Sequence, residues 1–135
     1  MSAVDAFYDT NVVLYLLSGD AAKADRAEEL LASGGRVSVQ VLNEFAAVAR
    51  RKLGMEWSQI QHVLLQLRAV CSVEPLSIDT HDRGVALAAR YPLNVYDAMI
   101  ISSALLAGCT FLYSEDMQHG QVFDGQLTIR NPFAA

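Results

Sequence analysis

Short apolar segments alternate with longer segments of helical periodicity along the chain, and this alternation constrains the fold more than any other feature. The expected strands are residues 4–8, 36–39, 72–76, 110–113 and 127–130, the last at the edge of the sheet. The expected helices are residues 11–17, 21–32, 41–53, 58–70, 80–90 with Asp79 as N-cap, and 95–106 with Asn94 as N-cap. The pattern predicts an α/β fold with a short, mostly parallel central sheet of about five strands flanked by helices.

Length and composition predict one globular domain covering residues 1–135, because about half of the residues are apolar and no low-complexity tract interrupts them. The longest apolar segment, residues 98–107, is shorter than the roughly 20 residues that cross a bilayer. The N-terminus carries Asp5 where a signal peptide would be basic and then apolar. We therefore expect a cytoplasmic protein with no membrane partner, in which Cys71 and Cys109 are reduced core thiols.

Four acidic residues lie within or beside segments that read as core: Asp9, Glu44, Asp97 and Asp116. Buried carboxylates are costly unless they are paired or bound to a cation. Asp9 and Asp116 each follow a predicted strand, and the carboxyl ends of parallel strands meet at one edge of a sheet. Since Glu44 and Asp97 occupy early turns of helices, all four are expected at that edge.

A cluster of carboxylates provides oxygen ligands, which suit one or two Mg²⁺ or Mn²⁺ ions. Zinc is disfavoured because His62, His81 and His119 have no partner at metal-ligand spacing. Bound Mg²⁺ neutralises phosphate charge and lowers the pKa of water, so the predicted reaction is phosphodiester hydrolysis. The sequence contains no nucleotide-binding glycine motif and no nucleophile-elbow motif.

Each acid also has a purely structural interpretation. Asp9 and Asp97 would favour the N-termini of the helices that they precede or begin. Glu44 would be a solvated helix position, and Asp116 an ordinary turn residue. These alternatives stay open for each residue taken alone. The coincidence of all four acids at one sheet edge favours a functional site.

Two further groups of residues are candidates for supporting roles. Asn11 and Ser114 would hold Asp9 and Asp116 by hydrogen bonds, although both residue types also cap locally. Glu115 is expected to point away from the site, because side chains alternate along an extended segment. The basic run Arg50, Arg51 and Lys52 would either contact substrate phosphates or interact with the C-terminus of its own helix.

The formal net charge of −5 argues against broad electrostatic binding to nucleic acid. Clustered carboxylates contribute to that number, and two bound Mg²⁺ would cancel most of it locally. A phosphodiester substrate is therefore compatible with the charge if metal supplies the main phosphate contact.

Four short motifs, in order along nearly the whole chain, resemble the PIN-domain family and more narrowly the VapC-type toxins of toxin–antitoxin modules. They are Tyr8-Asp9-Thr10-Asn11, Asn43-Glu44, Tyr96-Asp97-Ala98 and Ser114-Glu115-Asp116. The resemblance implies a PIN-like three-layer fold and a Mg²⁺- or Mn²⁺-dependent single-strand endoribonuclease. It also implies a homodimer and a cognate antitoxin that covers the active site.

The resemblance assigns metal binding and catalysis to Asp9, Glu44, Asp97 and Asp116, with Asn11 and Ser114 in support. One departure follows Asp116, where many PIN domains have a further Asp and this chain has no acid until Asp124. The resemblance therefore leaves open whether one or two metal ions bind. Two other hypotheses remain: a PIN-fold binding protein without useful catalysis, and a metal-dependent phosphatase, which would want an Asp at position 11 instead of Asn.

Overall fold

A six-stranded, mostly parallel sheet forms the centre of the computed structural model, which describes residues 5–134. The strands are β1 (Ala6–Tyr8), β2 (Arg36–Ser38), β3 (Ser72–Glu74), β4 (Phe111–Tyr113), β5 (Val122–Phe123) and β6 (Leu127–Arg130). Their order across the sheet is β3-β2-β1-β4-β6-β5. All neighbouring pairs are parallel except β5 with β6, which confirms the predicted α/β fold class.

Six α-helices flank the sheet in the described part of the chain. They are α1 (Thr10–Leu14), α2 (Ala21–Ala32), α3 (Val39–Arg51), α4 (Trp57–Val70), α5 (Ile78–Arg90) and α6 (Val95–Leu106). A 3₁₀ turn, Tyr15–Leu17, continues α1. Helix α6 is apolar on all sides and mostly buried, as expected for a helix enclosed by other elements. None of the helices in residues 5–134 is long and apolar enough to cross a membrane.

Helices α5 and α6 pack closely because Gly84 of α5 faces Met99 of α6. A Cβ atom added at Gly84 would lie 2.6 Å from Met99 Sδ, so a larger residue would force the Met99 side chain to move.

Cys71 and Cys109 are buried in the core, and burial raises the pKa of each thiol to about 11. Their burial and their raised pKa values fit the expected core thiols.

Several predicted boundaries were wrong, and residues 5–134 form six strands rather than about five. The missed strand, β5, has two residues, and it displaces β6 from the predicted edge position. Residue 39 begins α3 instead of ending β2, because the Ser38 side chain caps the helix by accepting from the Val41 backbone N–H at 3.3 Å. Val4, in the predicted first strand, lies outside the described residues.

The predicted N-cap Asp79 was also wrong. Ser77 caps α5 instead, and its side chain accepts a hydrogen bond from the Thr80 backbone N–H at 3.2 Å. The Thr80 hydroxyl in turn accepts from the Ser77 backbone N–H at 3.3 Å. This reciprocal pair satisfies two backbone donors, whereas Asp79 lies within the first turn of the helix.

The centre of the sheet determines where the site forms. Strand β1 pairs with β4 in register, Tyr8 opposite Tyr113. The next residue after each strand continues at the same edge: Asp9 donates its backbone N–H to the Tyr113 carbonyl at 3.0 Å, and Ser114 donates to the Arg130 carbonyl at 2.9 Å. Asp9 and Ser114 therefore emerge side by side at the carboxyl ends of the parallel strands.

Candidate active site

Asp9 is the most buried acid of the candidate site, with 5% of its surface exposed. Its Oδ1 accepts the Thr10 backbone N–H at 2.7 Å, so Asp9 does cap α1, as one interpretation of the sequence held. Its Oδ2 accepts the Ser114 hydroxyl at 2.7 Å and the Asn11 side-chain amide at 3.1 Å. The Asp9 carboxylate thus both caps α1 and belongs to the candidate site, and three hydrogen-bond donors hold it in one orientation.

Asn11 connects Asp9 to Asp116. Its Nδ2 lies 3.1 Å from Asp9 Oδ2 and 3.2 Å from Asp116 Oδ2. Its Oδ1 accepts the Glu115 backbone N–H at 3.3 Å, which fixes the amide's orientation. The structure therefore brings Asp9, Asn11, Ser114 and Asp116 into one hydrogen-bonded network.

Glu44, on α3, joins this network through Thr10. The Thr10 hydroxyl donates to Glu44 Oε1 at 2.7 Å, and the Gln40 amide donates to Glu44 Oε2 at 2.7 Å. Thr10 and Gln40 were not among the residues predicted from sequence. The available signal was position: Gln40 precedes Glu44 by four residues, which places both on one helix face.

Asp97 approaches the cluster from the first turn of α6. Its Oδ2 accepts the Asn94 side-chain amide at 3.0 Å, and its backbone N–H donates to Asn94 Oδ1 at 2.9 Å. It lines a cavity of about 280 Å³ together with Asp116. Asp97 therefore combines a position at the helix N-terminus with proximity to the other acids.

Burial and the repulsion of neighbouring acids disfavour the charged forms of Asp9 and Asp97. Burial raises the pKa of Asp9 to about 6; hydrogen bonds from Ser114 and Thr10 lower it, and the charges of Asp97 and Glu44 raise it. Burial also raises the pKa of Asp97, against a lowering hydrogen bond from Asn94, and Glu44 and Asp116 raise it further. A bound cation would offset both effects.

The donor set fits Mg²⁺ or Mn²⁺, because the candidate ligands are all oxygens. Within residues 5–134, no three His, Cys, Asp or Glu side chains lie close enough to hold a metal ion together. Mg²⁺ does not need such a cage, since it keeps several waters and binds through one or two carboxylates plus substrate phosphates. The side chains present therefore fit a hydrated ion bound beside Asp9 and Asp116.

An open cleft of about 400 Å³ gives access to the acids. Asp9, Glu44 and Asp116 supply its charged wall, while Val48 and Tyr96 supply apolar surface. A cleft with carboxylates on one side is suited to a substrate whose negative charge is neutralised by a cation.

Glu115 and the basic run lie apart from this cleft. Glu115 accepts hydrogen bonds from the Tyr15 hydroxyl and, at 3.3 Å, from Lys23, in keeping with the prediction that it points away. Arg50 donates to the Met55 carbonyl at 2.9 Å and lies 5.4 Å from the centre of the Trp57 ring, so it stabilises the connection between α3 and α4. Substrate contact by Arg50, Arg51 and Lys52 stays a prediction.

The metal-free protein should lose stability as the pH rises through the pKa of Asp9. This pKa is 3.8 in a free aspartate and about 6 in the fold, so the folded state binds more protons in this window. Below about pH 4, Asp9 therefore adds roughly 2 to 3 kcal/mol to the free energy of unfolding, and this contribution is lost by about pH 7. Urea unfolding in EDTA between pH 4 and 7.5 measures it.

Asp9→Asn should remove the Asp9 share of this pH dependence. Without metal at pH 7.5, the Asp9→Asn variant should be more stable than the wild type. The exposed Asp79 serves as control, because Asp79→Asn should leave the wild-type pH profile intact. If the difference in unfolding free energy between wild type and Asp9→Asn did not change with pH, the raised pKa of Asp9 would be wrong.

The protein belongs to the PIN domain family, since the family model described as PIN domain matches residues 6–122. The search of curated proteins found no match. Solved structures do match, and they share the fold described above. One is a toxin–antitoxin complex from Klebsiella pneumoniae, with a TM-score of 0.73 and 23% identity, covering 96% of this chain and 99% of that chain.

Two further solved structures are similar to this chain. VapC20 of Mycobacterium tuberculosis, described as a sarcin-ricin loop cleaving toxin, has a TM-score of 0.68 and 21% identity, covering 82% of this chain and 91% of that chain. VapBC2 from Rickettsia felis, bound to a DNA fragment from its promoter, has a TM-score of 0.68 and 18% identity, covering 93% and 98%. At these identities the likeness shows a shared fold.

Proposed function

We propose that this protein is a metal-dependent single-strand endoribonuclease and the toxin of a toxin–antitoxin module. The observation that carries the proposal is the convergence of Asp9, Glu44, Asp97 and Asp116 at the carboxyl ends of β1 and β4. Structural neighbours that include a toxin–antitoxin complex and a sarcin-ricin loop cleaving toxin support it.

In this proposal Asp9 and Asp116 would hold one Mg²⁺ or Mn²⁺, and Asp97 and Glu44 would act on that ion through its bound waters or would hold a second ion. The cation supplies charge neutralisation at the phosphodiester and lowers the pKa of the attacking water. Ser114 and Asn11 fix the Asp9 carboxylate, and Thr10 with Gln40 fixes Glu44. These hydrogen bonds keep the acids in place before substrate binds, which lowers the cost of organising the site.

Asp97→Asn should reduce RNA cleavage by about 100-fold or more, because it removes one negative charge facing the proposed cation site. The matched control is Asp79→Asn, since Asp79 occupies the first turn of α5 as Asp97 occupies that of α6, but lies in no part of the cleft. Cleavage of labelled single-stranded RNA is measured with Mg²⁺ and with EDTA.

Two results would overturn the proposed metal-dependent nuclease activity. One is equal cleavage by Asp97→Asn and the control, and the other is cleavage by the wild type that persists in EDTA. Folding of each variant is checked by circular dichroism, so that loss of activity is not confused with loss of structure.

The toxin role is tested in cells. Expression should arrest growth, and co-expression of the neighbouring gene's product should restore it if that product is the cognate antitoxin. A homodimer in the cytoplasm is part of the proposal, and sedimentation of the purified protein measures the oligomeric state. Growth that continues during expression of a soluble, RNA-cleaving protein would remove the toxin role and keep the nuclease.

One observation favours the second hypothesis, a PIN-fold binding protein without catalysis: the described residues contain no group of three acids placed to hold an ion. Calorimetric titration with Mn²⁺ separates the two hypotheses. A nuclease should bind Mn²⁺ with an affinity that Asp9→Asn abolishes, whereas a binding protein need not bind it at all.

A further inference from the structure

A further cavity, separate from the acidic cleft and from the cavity beside Asp97 and Asp116, is not used by the proposed chemistry and is called the second cavity below. Its volume is about 330 Å³, and it lies where the start of α3, the connection from β3 to α5, and the first turns of α5 and α6 meet. Leu76, Val95 and Met99 form its apolar walls, and Gln40 and His81 place polar groups on it. Pockets of about 300 to 1,000 Å³ that combine apolar walls with a few polar groups are typical of small-ligand sites.

Tyr96 forms a wall common to the two cavities, because it lines both of them. It is 62% exposed. Its hydroxyl makes no hydrogen bond and its ring no aromatic pair with any residue from 5 to 134. An exposed ring without a partner, directly before Asp97, leaves an aromatic face open to a planar group.

Gln40 links the second cavity to the acids. Its amide nitrogen donates to Glu44 Oε2 at 2.7 Å. Gln40 also lines the second cavity, and the carbonyl oxygen of its side chain remains available as a hydrogen-bond acceptor. His81 lies on the exposed side of α5, where its ring nitrogens can donate or accept. Together they offer hydrogen bonds to the edge of a planar ligand.

We propose that this second cavity binds a nucleobase of single-stranded RNA, stacked on Tyr96, with Gln40 and His81 at its edge. The proposal rests on the proposed nuclease function and names where the nucleotide next to the cleaved bond would sit. Stacking on an aromatic side chain holds any base, while hydrogen bonds to the base edge discriminate among bases. The second cavity would therefore position the strand and select its sequence at one nucleotide.

A second copy of this chain is the competing occupant. Leu76, Ile78 and Val95 are exposed apolar residues near the cavity, and a dimer interface would also cover them. RNA is favoured because the cavity lies beside the acidic cleft, with Tyr96 lining both, and because Gln40 is hydrogen-bonded to a candidate metal ligand.

The test measures binding of an uncleavable probe, so that it does not depend on catalysis. Fluorescence anisotropy follows 2′-O-methyl RNA hexamers of A, C, G or U in Mg²⁺. Tyr96→Ala should weaken binding by about 5- to 100-fold, the range for loss of one base–aromatic stack, and Tyr96→Phe should retain it. Leu106→Ala is the control, because Leu106 is an exposed apolar residue at the other end of α6.

His81→Ala tests the edge contacts. It should change the order of affinities among the four hexamers, because base-edge contacts carry sequence preference and phosphate contacts do not. In cleavage assays, Tyr96→Ala should raise KM by more than it lowers kcat.

The proposal is overturned if Tyr96→Ala binds the hexamers as tightly as the wild type, or if the wild type binds none of them. Sedimentation identifies the competing occupant: conversion of a dimer to a monomer by Tyr96→Ala, with unchanged affinity for each hexamer, would assign the face to a second copy. RNA cleavage by Asp97→Asn tests the proposed nuclease activity independently, so the proposed base-binding cavity and the proposed nuclease activity can be disproved separately.

Discussion

Asp9→Asn should reduce RNA cleavage at least about 1,000-fold while the protein stays folded. The substitution removes the negative charge at the centre of the network and leaves the volume of the side chain nearly unchanged. It also turns one Asp9 oxygen, which accepts from both Ser114 and Asn11, into an NH₂ group or forces the amide to turn. Loss of charge at a proposed metal site removes several kcal/mol of transition-state stabilisation.

The matched control for this experiment is Asp20→Asn. Asp20 is also an aspartate N-cap, on α2, and its Oδ1 accepts from the Ala22 backbone N–H at 3.0 Å. It is exposed and lies in neither the cleft nor the second cavity. If Asp9→Asn cleaved RNA like the wild type, the charge of Asp9 would not be needed for cleavage. If Asp20→Asn lost as much RNA cleavage as Asp9→Asn, Asp9 would matter only as a helix cap.

Phe45→Ala should lower the free energy of unfolding by about 3 to 5 kcal/mol. Phe45 is fully buried and follows Glu44 directly on α3. Removing its ring leaves a cavity under the helix that carries Glu44. Because small domains are stable by only about 5 to 15 kcal/mol, a loss of this size would leave a marginal fold. Urea unfolding at pH 7.5 measures it.

Phe133→Ala provides the comparison for that loss. Phe133 is partly exposed and contacts Tyr15 edge-on, with 5.2 Å between ring centroids. Its loss should cost much less than that of Phe45. Equal costs for the two variants would mean that Phe45 does not sit in a rigid core.

The helices that carry their own capping signals were the easiest to predict from the sequence. Asn94 and the apolar run after it gave α6 its observed limits, Val95–Leu106. The error at Asp79 arose because Ser, Thr and Asp all cap well, and Ser77 and Asp79 lie close together. Only the reciprocal bond with Thr80 decides between them. Two-residue strands such as β5 carry too little periodicity to be recognised.

The part of the candidate site that depends on strand ends and residue types could be predicted from the sequence. Asp9 and Asp116 follow β1 and β4 in sequence, so parallel pairing of the strands brings them together. The partners that orient Glu44 depend on side-chain rotamers, and no local pattern indicates that Thr10 reaches across 34 positions to it. Likewise, nothing in the basic run indicates that Arg50 contacts Met55 and Trp57.

The pairing of β1 with β4 joins segments more than a hundred residues apart, with Ala6 opposite Phe111. Contacts between such distant segments form late, because closing a long loop costs entropy before any contact repays it. A ribosome would have to release residues through Asp116 before the four acids could meet. During its own synthesis the chain would therefore carry Asp9 without its partners, and the proposed site could form only after Asp116 had left the ribosome.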